Sequence, residues 1–220
     1  MFDTTRQVPT RIGDLFFDHD YPTNPTVERL YNEMDFQRAC QLYLWALPIV
    51  GLARWRQAYR DAFGLGDNEV VLTNTFQDRL GVLTLNESTP YMFGFTNVAE
   101  RPVVFDVPPG LVIGLTVDFW QQSLFDMGVF GVNEGEGGRY VVVGPDTPDH
   151  PDVDGATKIE SGTNNVCIVF RLAGTPEQNE SAKAGVNVYY QGDEPSFEIV
   201  DAADRNAGML HQPRGLAFWR

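Results

Sequence analysis

After Asn68 the sequence breaks into short apolar runs separated by glycine and proline, and this pattern constrains the fold most. The runs are rich in valine, isoleucine, phenylalanine and tyrosine, which pack well on a pleated, half-buried surface. Turn residues lie between them, at 108–110 and 135–138. The pattern predicts about seven strands of a mostly antiparallel sheet, at residues 70–73, 82–85, 91–95, 102–107, 111–120, 139–143 and 166–172.

Helices are predicted before the strands. Asn24 can cap a helix and Pro25 suits its first turn, which predicts a short helix to about Asn32. Asp35 is a second start signal, and Pro48 ends or kinks the segment that follows it. Apolar residues of this second segment recur at three- and four-residue spacing, which predicts a stripe buried against the rest of the domain: Phe36, Ala39, Cys40, Tyr43, Leu44 and Leu47. Helix then continues to Gly64.

The predicted fold class is α+β, with N-terminal helices followed by a mostly antiparallel β-sandwich or curled sheet. Residues 1–24 are predicted to be an N-terminal arm without regular structure, and residues 25–192 the α+β domain. Residues 145–157 are predicted to form a solvated loop, and a capped helix should run from Pro176 to about Gln191. Residues 193–220 are expected to be a C-terminal extension, or the start of a missing or partner domain, because the chain finishes on an apolar segment at 216–220.

The charge balance restricts the partners. With 16 basic and 30 acidic residues, the net charge of −14 repels nucleic acid and anionic lipid. No run approaches the length of a spanning helix and no signal peptide opens the chain, so a cytoplasmic location is expected. Cys40 and Cys167 each lie in an apolar run, which predicts two buried, reduced thiols.

Motifs of the common enzyme classes are missing from the sequence. It has no nucleophile elbow, phosphate-binding loop or dinucleotide fingerprint, so no cofactor is predicted. No zinc motif occurs. The acidic segment from Asp146 to Gly155 suggests Ca²⁺, but its acids do not follow the spacing of a helix-loop-helix calcium loop, so no metal site is predicted.

Two groups of residues are candidates for chemistry. Asn86, Thr89 and Tyr91 offer an amide, a hydroxyl and a phenol between two strands, where they could hold a small polar ligand or satisfy their own turn. Asp118 lies on the strand face opposite Val117 and Phe119.

Asp118 and Arg171 could orient a substrate beside Trp120, or form a structural ion pair across the sheet, and we favour the ion pair. Tyr91, Asp118 and Arg171 are the catalytic candidates. The ligand-binding candidates are Asn86, Thr89, Trp120 and Tyr43.

Several segments resemble the bacterial domain-of-unknown-function family twelve fifty-four. Residues 39–48, A-C-Q-L-Y-L-W-A-L-P, are similar to that family's opening helix, and residues 84–91 to its signature T-x-N-x-D-T-x-Y. The resemblance continues through residues 101–108, Asp118, Gly144-Pro145 and Arg171, and covers about residues 21–190. The signature aspartate is Ser88 here, so chemistry that depends on that aspartate in relatives is not expected of this chain.

The resemblance implies a fold and a candidate surface, but no reaction. Members of the family commonly carry a second, C-terminal β-rich domain, which implies a truncated chain or a partner domain. We therefore expect a small-molecule-binding or enzymatic domain, with metal-independent hydrolysis or isomerisation of a small organic compound if it is an enzyme. The alternatives are a non-catalytic module that assembles through its C-terminal aromatic edge, as a homo-oligomer or with a second domain, and a carbohydrate-binding β-sandwich.

Overall fold

A computed structural model describes residues 4–74 and 88–203. The chain divides into two compact units, Met1–Leu47 and Pro48–Arg220. No helix in the described ranges is both long enough and apolar enough to span a membrane.

The first unit contains a small antiparallel sheet of β1 (Thr5–Val8), β2 (Leu15–Asp18) and β3 (Tyr21–Pro22). The prediction of an arm without regular structure is therefore wrong. Pro22 is tolerated because β3 is an edge strand of this sheet, where a missing N–H breaks no ladder. The buried Thr26 hydroxyl accepts the Phe16 N–H (2.8 Å) and donates to the Phe16 carbonyl (3.0 Å), which ties the following helix to β2.

Helix α1 (Asn24–Phe63) begins where the sequence predicts it, but it is one helix of 40 residues and not two. Asn32 and Asp35, which look like a break and a new start, both lie on the exposed surface of the helix. There a polar side chain is solvated and need not compete for backbone hydrogen bonds. Gln37 also donates to Glu33 one turn earlier (2.8 Å). Pro48 lies inside the helix, where its ring removes one intrahelical hydrogen bond.

The predicted apolar stripe of α1 is not buried within this chain. Phe36, Tyr43 and Leu44 are 65%, 60% and 64% exposed. Cys40 is exposed too, so the prediction of two buried thiols holds for Cys167 alone. The spacing is that of a packing face, but nothing in the described chain covers it.

The second unit contains two further sheets. One has six strands in the order β13-β4-β5-β11-β7-β8, and the other has four in the order β10-β9-β6-β12. The six-stranded sheet is built from β4 (Glu69–Thr73), β5 (Tyr91–Asn97), β7 (Val112–Asp118), β8 (Ser123–Gly128), β11 (Asn165–Leu172) and β13 (Glu198–Asp201). The four-stranded sheet is built from β6 (Val103–Val107), β9 (Gly138–Val143), β10 (Ala156–Glu160) and β12 (Asn187–Tyr190).

Every strand pair of these two sheets is antiparallel except β13–β4 and β10–β9, which are parallel. Side chains from both sheets, such as Met92 and Ile168 on one and Phe105 and Tyr140 on the other, form a single buried cluster. The α+β class with a mostly antiparallel β-sandwich is therefore confirmed.

The other face of the six-stranded sheet packs on the C-terminal part of α1. Tyr59 and Phe63 of the helix are buried with Phe93, Phe95 and Cys167 of the sheet. Because side chains alternate along a strand, β5 sends Met92 into the sandwich and its odd-numbered residues towards the helix.

Several segments differ from their predictions. Helix α2 (Pro176–Gly185) has the predicted Thr175 cap, but it ends six residues early and gives way to β12, because Val188 and Tyr189 are buried in the four-stranded sheet. Strands β8, β10 and β13 are also missing from the prediction, and β13 pairs with β4 in the region expected to be an extension. The predicted strand at 82–85 lies outside the described residues.

Two fully buried threonines in this sandwich should respond to valine in opposite directions. The Thr116 hydroxyl has no hydrogen-bond partner within residues 4–74 and 88–203, whereas the Thr96 hydroxyl donates to Asn68 Oδ1 (2.5 Å). We expect Thr116→Val to raise the free energy of unfolding by about 1 kcal/mol, because an unsatisfied polar group leaves the core. Thr96→Val should lower it by about 1–2 kcal/mol, because it strands the Asn68 amide oxygen. Urea unfolding of both variants checks this, and a loss of stability in Thr116→Val would contradict it.

Candidate functional site

Strand pairing brings three of the predicted site residues together at one end of the six-stranded sheet. Arg171 on β11 lies opposite Tyr91 on β5 and opposite Ile113 on β7. Thr89 comes two residues before Tyr91, just ahead of β5. Arg171 and Tyr91 are half-buried and lie on the sheet face that packs against α1 further along. We call Thr89, Tyr91 and Arg171 the Arg171 site.

The Arg171 guanidinium is held from two sides. Its Nε–H donates to Thr89 Oγ1 (2.7 Å), and its central carbon lies 5.6 Å from the centroid of the Tyr91 ring. The Tyr91 ring in turn stacks on Phe93, with centroids 5.4 Å apart and planes at 4°. A hydrogen bond and a stacked ring together restrict the rotation of the guanidinium plane.

No carboxylate neutralises Arg171 in the described part of the chain. The arginines that form salt bridges in that part are Arg11, Arg56, Arg60, Arg101 and Arg139, and Arg171 is not among them. The two terminal nitrogens of Arg171 have no hydrogen-bond partner there either, and they are not sealed from solvent.

Arg101 provides a direct comparison. It lies over the Tyr190 ring (4.5 Å) in the same way, but both of its terminal nitrogens donate to Asp193 (2.7 and 3.1 Å). Arg171 thus presents the open end of a fork that elsewhere in this chain binds a carboxylate.

Asp118 is remote from Arg171, so the predicted ion pair does not form. Asp118 is opposite Val166 at one end of β11, and Arg171 is five residues further along the same strand, a separation of about 17 Å. The buried Asp118 Oδ1 instead accepts the backbone N–H groups of Trp120 (2.8 Å) and Gln122 (2.9 Å). Asp118 therefore shapes the turn between β7 and β8.

The remaining candidates are scattered. Trp120 is half-buried in the turn that Asp118 organises. Tyr43 lies on α1 in the first unit, where its side chain is exposed. Asn86 lies outside the described residues.

A second polar cluster, missed by the sequence prediction, lies at the opposite end of the sheet. Arg56 on α1 donates to Asp67 Oδ1 (2.6 Å) and to Asn165 Oδ1. Arg60 donates to the same Asp67 oxygen (3.0 Å), and Asn97 donates to the Asn165 oxygen (2.8 Å). Because its cations already share a carboxylate, the cluster anchors the helix end to the sheet. Arg56 and Asp67 are 11 positions apart across a turn, so no spacing rule could have found the pair.

A surface cavity of about 320 Å³ lies away from the Arg171 site. The predicted acidic loop lines it, together with Lys158, Glu160 and Ser161. The Ser161 hydroxyl is already used, donating to the Thr163 carbonyl (2.7 Å). Within the described ranges no three His, Cys, Asp or Glu side chains are placed to share a metal ion. Volume alone favours this cavity, but we give the Arg171 site more weight because its charged group has no counterion among the described residues.

The cysteines offer no nucleophile at this sheet. Burial among the aromatic side chains of α1 and β5 raises the pKa of the Cys167 thiol to about 12. That thiol is therefore protonated at neutral pH and inert as a nucleophile.

Comparison with known proteins places the chain in a family. A family model described as a protein of unknown function, DUF1254, matches residues 68–192, which is more than half of the chain. The crystal structure of the VPA0106 protein from Vibrio parahaemolyticus, a Northeast Structural Genomics Consortium target, is similar with a TM-score of 0.52.

At 16% sequence identity this is a likeness of fold, covering 70% of this chain and 39% of that protein. The chain thus spans about two fifths of the VPA0106 protein, and no curated protein matches it. The resemblance seen in the sequence is confirmed: the chain belongs to the DUF1254 family of proteins of unknown function.

Proposed function

We propose that this domain binds a small organic anion, such as a carboxylate, at the Arg171 site. The observation that carries the proposal is the guanidinium of Arg171, which no carboxylate of the described residues neutralises. The chain contains 30 acidic residues, yet in its described part none pairs with this half-buried cation. Removing a charge from water without a counterion costs free energy, and a bound anion would recover it.

The orientation of Arg171 favours a planar, two-oxygen ligand group. Because Nε is engaged by Thr89, the two terminal nitrogens remain for the ligand, and a carboxylate can accept from both at once. Ile113 lies next to Arg171 on β7, and Val169 lies one step along the same face of β11. Both are half-buried apolar side chains that could contact the organic part of the ligand.

Binding is better supported than catalysis. Asp118, the carboxylate expected to move a proton, lies far along the sheet and is engaged in a turn. Tyr91 is left as the proton-bearing group of the site, and one phenol beside one arginine can position an anion without any bond being broken.

Titration with benzoate, acetate and inorganic phosphate tests the proposal, with the Nε–H resonance of Arg171 followed by NMR in the wild type and the benzoate affinity of the variants measured by calorimetry. We expect benzoate to shift this resonance, and Arg171→Gln to weaken binding about tenfold or more, because a charge-assisted hydrogen-bond pair is lost.

Arg101→Gln is the matched control, since Arg101 also lies over a tyrosine but is already paired with Asp193. It should leave benzoate affinity unchanged. If no anion shifts the Arg171 resonance, or if both variants weaken binding equally, the proposal is wrong.

A further inference from the structure

Helix α1 carries an exposed apolar seam with the spacing of a coiled coil. Positions 36, 40, 43, 47 and 50 alternate steps of four and three residues and hold Phe, Cys, Tyr, Leu and Val. Such alternation keeps side chains on the side of a helix that faces a partner helix. Phe36, Cys40 and Tyr43 are exposed, and Leu47 and Val50 are at least partly so. We call these five residues the α1 seam.

We propose that the α1 seam is a dimer interface, in which α1 of a second copy of this chain packs antiparallel along it. The seam is self-complementary, as an isologous dimer requires. When Tyr43 lies opposite Leu47 of the second copy, Cys40 lies opposite its Val50. The two-fold axis repeats each of these two pairs, so the interface has four apolar layers.

The charges at the two ends of the seam select the antiparallel direction. Continuing the same spacing, the next residue before the seam is Glu33 and the next after it is Arg54. In the antiparallel pair, Arg54 of each copy lies beside Phe36 of the other and within one helical turn of its Glu33. In a parallel pair Glu33 would face Glu33 and Arg54 would face Arg54, which is repulsive. Arg54 makes no ion pair within the described chain, whereas Glu33 is already paired with Arg11. The repulsion between the two Arg54 side chains is therefore the main argument against the parallel pair.

The composition of the helix disfavours a membrane surface as the occupant. Residues 39–53 contain no charged side chain, whereas a helix that lies on a membrane carries a basic polar face opposite its apolar one. The apolar surface on the other side of α1 is also less continuous than the seam, because the charged Arg38 lies midway between Tyr31 and Trp45.

The area of the seam predicts a dimer that dissociates on dilution. Aromatic side chains bury about 150–250 Å² each, and about three fifths of Phe36 and Tyr43 remain exposed. With the smaller seam residues, two copies would bury roughly 800–1,000 Å² in total, the size of a weak, transient interface. A dissociation constant in the micromolar range is typical of contacts of this size.

Sedimentation velocity across a dilution series of the full chain tests the dimer. We expect Tyr43→Lys to raise the dissociation constant about tenfold or more. Tyr31→Lys is the matched control, because Tyr31 is the same residue on the same helix, equally exposed at 60% but off the seam. It should dimerise like the wild type. A wild-type chain that stays monomeric at its highest concentration, or equal weakening by both variants, overturns the proposal.

The direction of the pair is tested by charge exchange and by cross-linking. Arg54→Glu alone should weaken the dimer up to about fivefold by placing Glu against Glu33, and the double variant Glu33→Arg/Arg54→Glu should restore it. In Val50→Cys, oxidation should link the new thiol to Cys40 of the second copy, whereas wild-type Cys40 should not cross-link to itself. Efficient linking through wild-type Cys40 would instead indicate a parallel pair and overturn the proposed arrangement.

Discussion

Replacing Gly128 by alanine is expected to lower the free energy of unfolding by about 4 kcal/mol or more, which is the largest effect that we expect of any single substitution. Gly128 ends β8 with a φ of +71°, and a Cβ built there would lie 1.9 Å from the backbone carbonyl oxygen of Val112. Val112 begins β7 and is fully buried, so this oxygen cannot move without breaking the β7–β8 pairing. The substitution therefore combines a strained backbone with a clash that cannot relax.

Gly155→Ala separates those two effects. Gly155 has nearly the same φ, +68°, but nothing lies within 4 Å of its hypothetical Cβ. Its replacement should cost only about 1 kcal/mol, which is the penalty for a left-handed conformation. Urea unfolding of both variants, compared with the wild type, measures the difference. Equal losses would mean that conformation alone, and not the contact with Val112, makes glycine necessary at position 128.

The second large effect is expected for Asp118→Ala, which should lower the free energy of unfolding by about 3 kcal/mol. The buried carboxylate accepts two backbone N–H groups, and alanine would leave both without an acceptor. Asp118→Asn should cost only about 1 kcal/mol, because an amide oxygen can still accept both.

This pair of variants also separates a structural role from a catalytic one. If Asp118 organises the β7–β8 turn, Asp118→Asn should bind benzoate at the Arg171 site as the wild type does. Wild-type stability in Asp118→Ala would contradict the structural role. The urea midpoint and slope of each variant, measured together with benzoate affinity, give both answers.

The Arg171 site and the α1 seam are independent features. The Arg171 site lies on the six-stranded sheet of the second unit, and its ligand would be a small anion. The seam follows the spacing of one helix, and its partner would be a second copy of the chain. Tyr43→Lys should therefore weaken dimerisation without changing the chemical shift of the Arg171 Nε–H, and Arg171→Gln should leave the dimer intact.

Local patterns in the sequence predicted individual elements well. The short apolar runs at residues 91–95 and 166–172 correspond to β5 and β11, and Asn24 with Pro25 marks the start of α1. These signals depend on neighbours within a few residues, such as a cap or a short apolar run bounded by turn residues. Elements with mixed composition were not predicted. Strand β10, with its Thr, Lys and Glu, is an example, because its strand conformation comes from pairing with β9.

The candidate site could be predicted only in part, because its geometry depends on register. Thr89, Tyr91 and Arg171 were each singled out from the sequence, but their contact follows from the pairing of β5 with β11 across about 80 residues. The same register carries Asp118 to the far end of β11 and removes it from the site. No local pattern encodes which residues of two distant strands lie opposite each other.

By itself, then, the sequence determined the fold class, the family and the residues with chemical capacity, because these follow from local periodicity and motif. Only the tertiary structure decided which of those residues meet, since strand register is a long-range property. It also decided that the α1 stripe, although patterned for burial, stays exposed in this chain. An apolar period shows that a face packs, but its partner depends on the rest of the assembly.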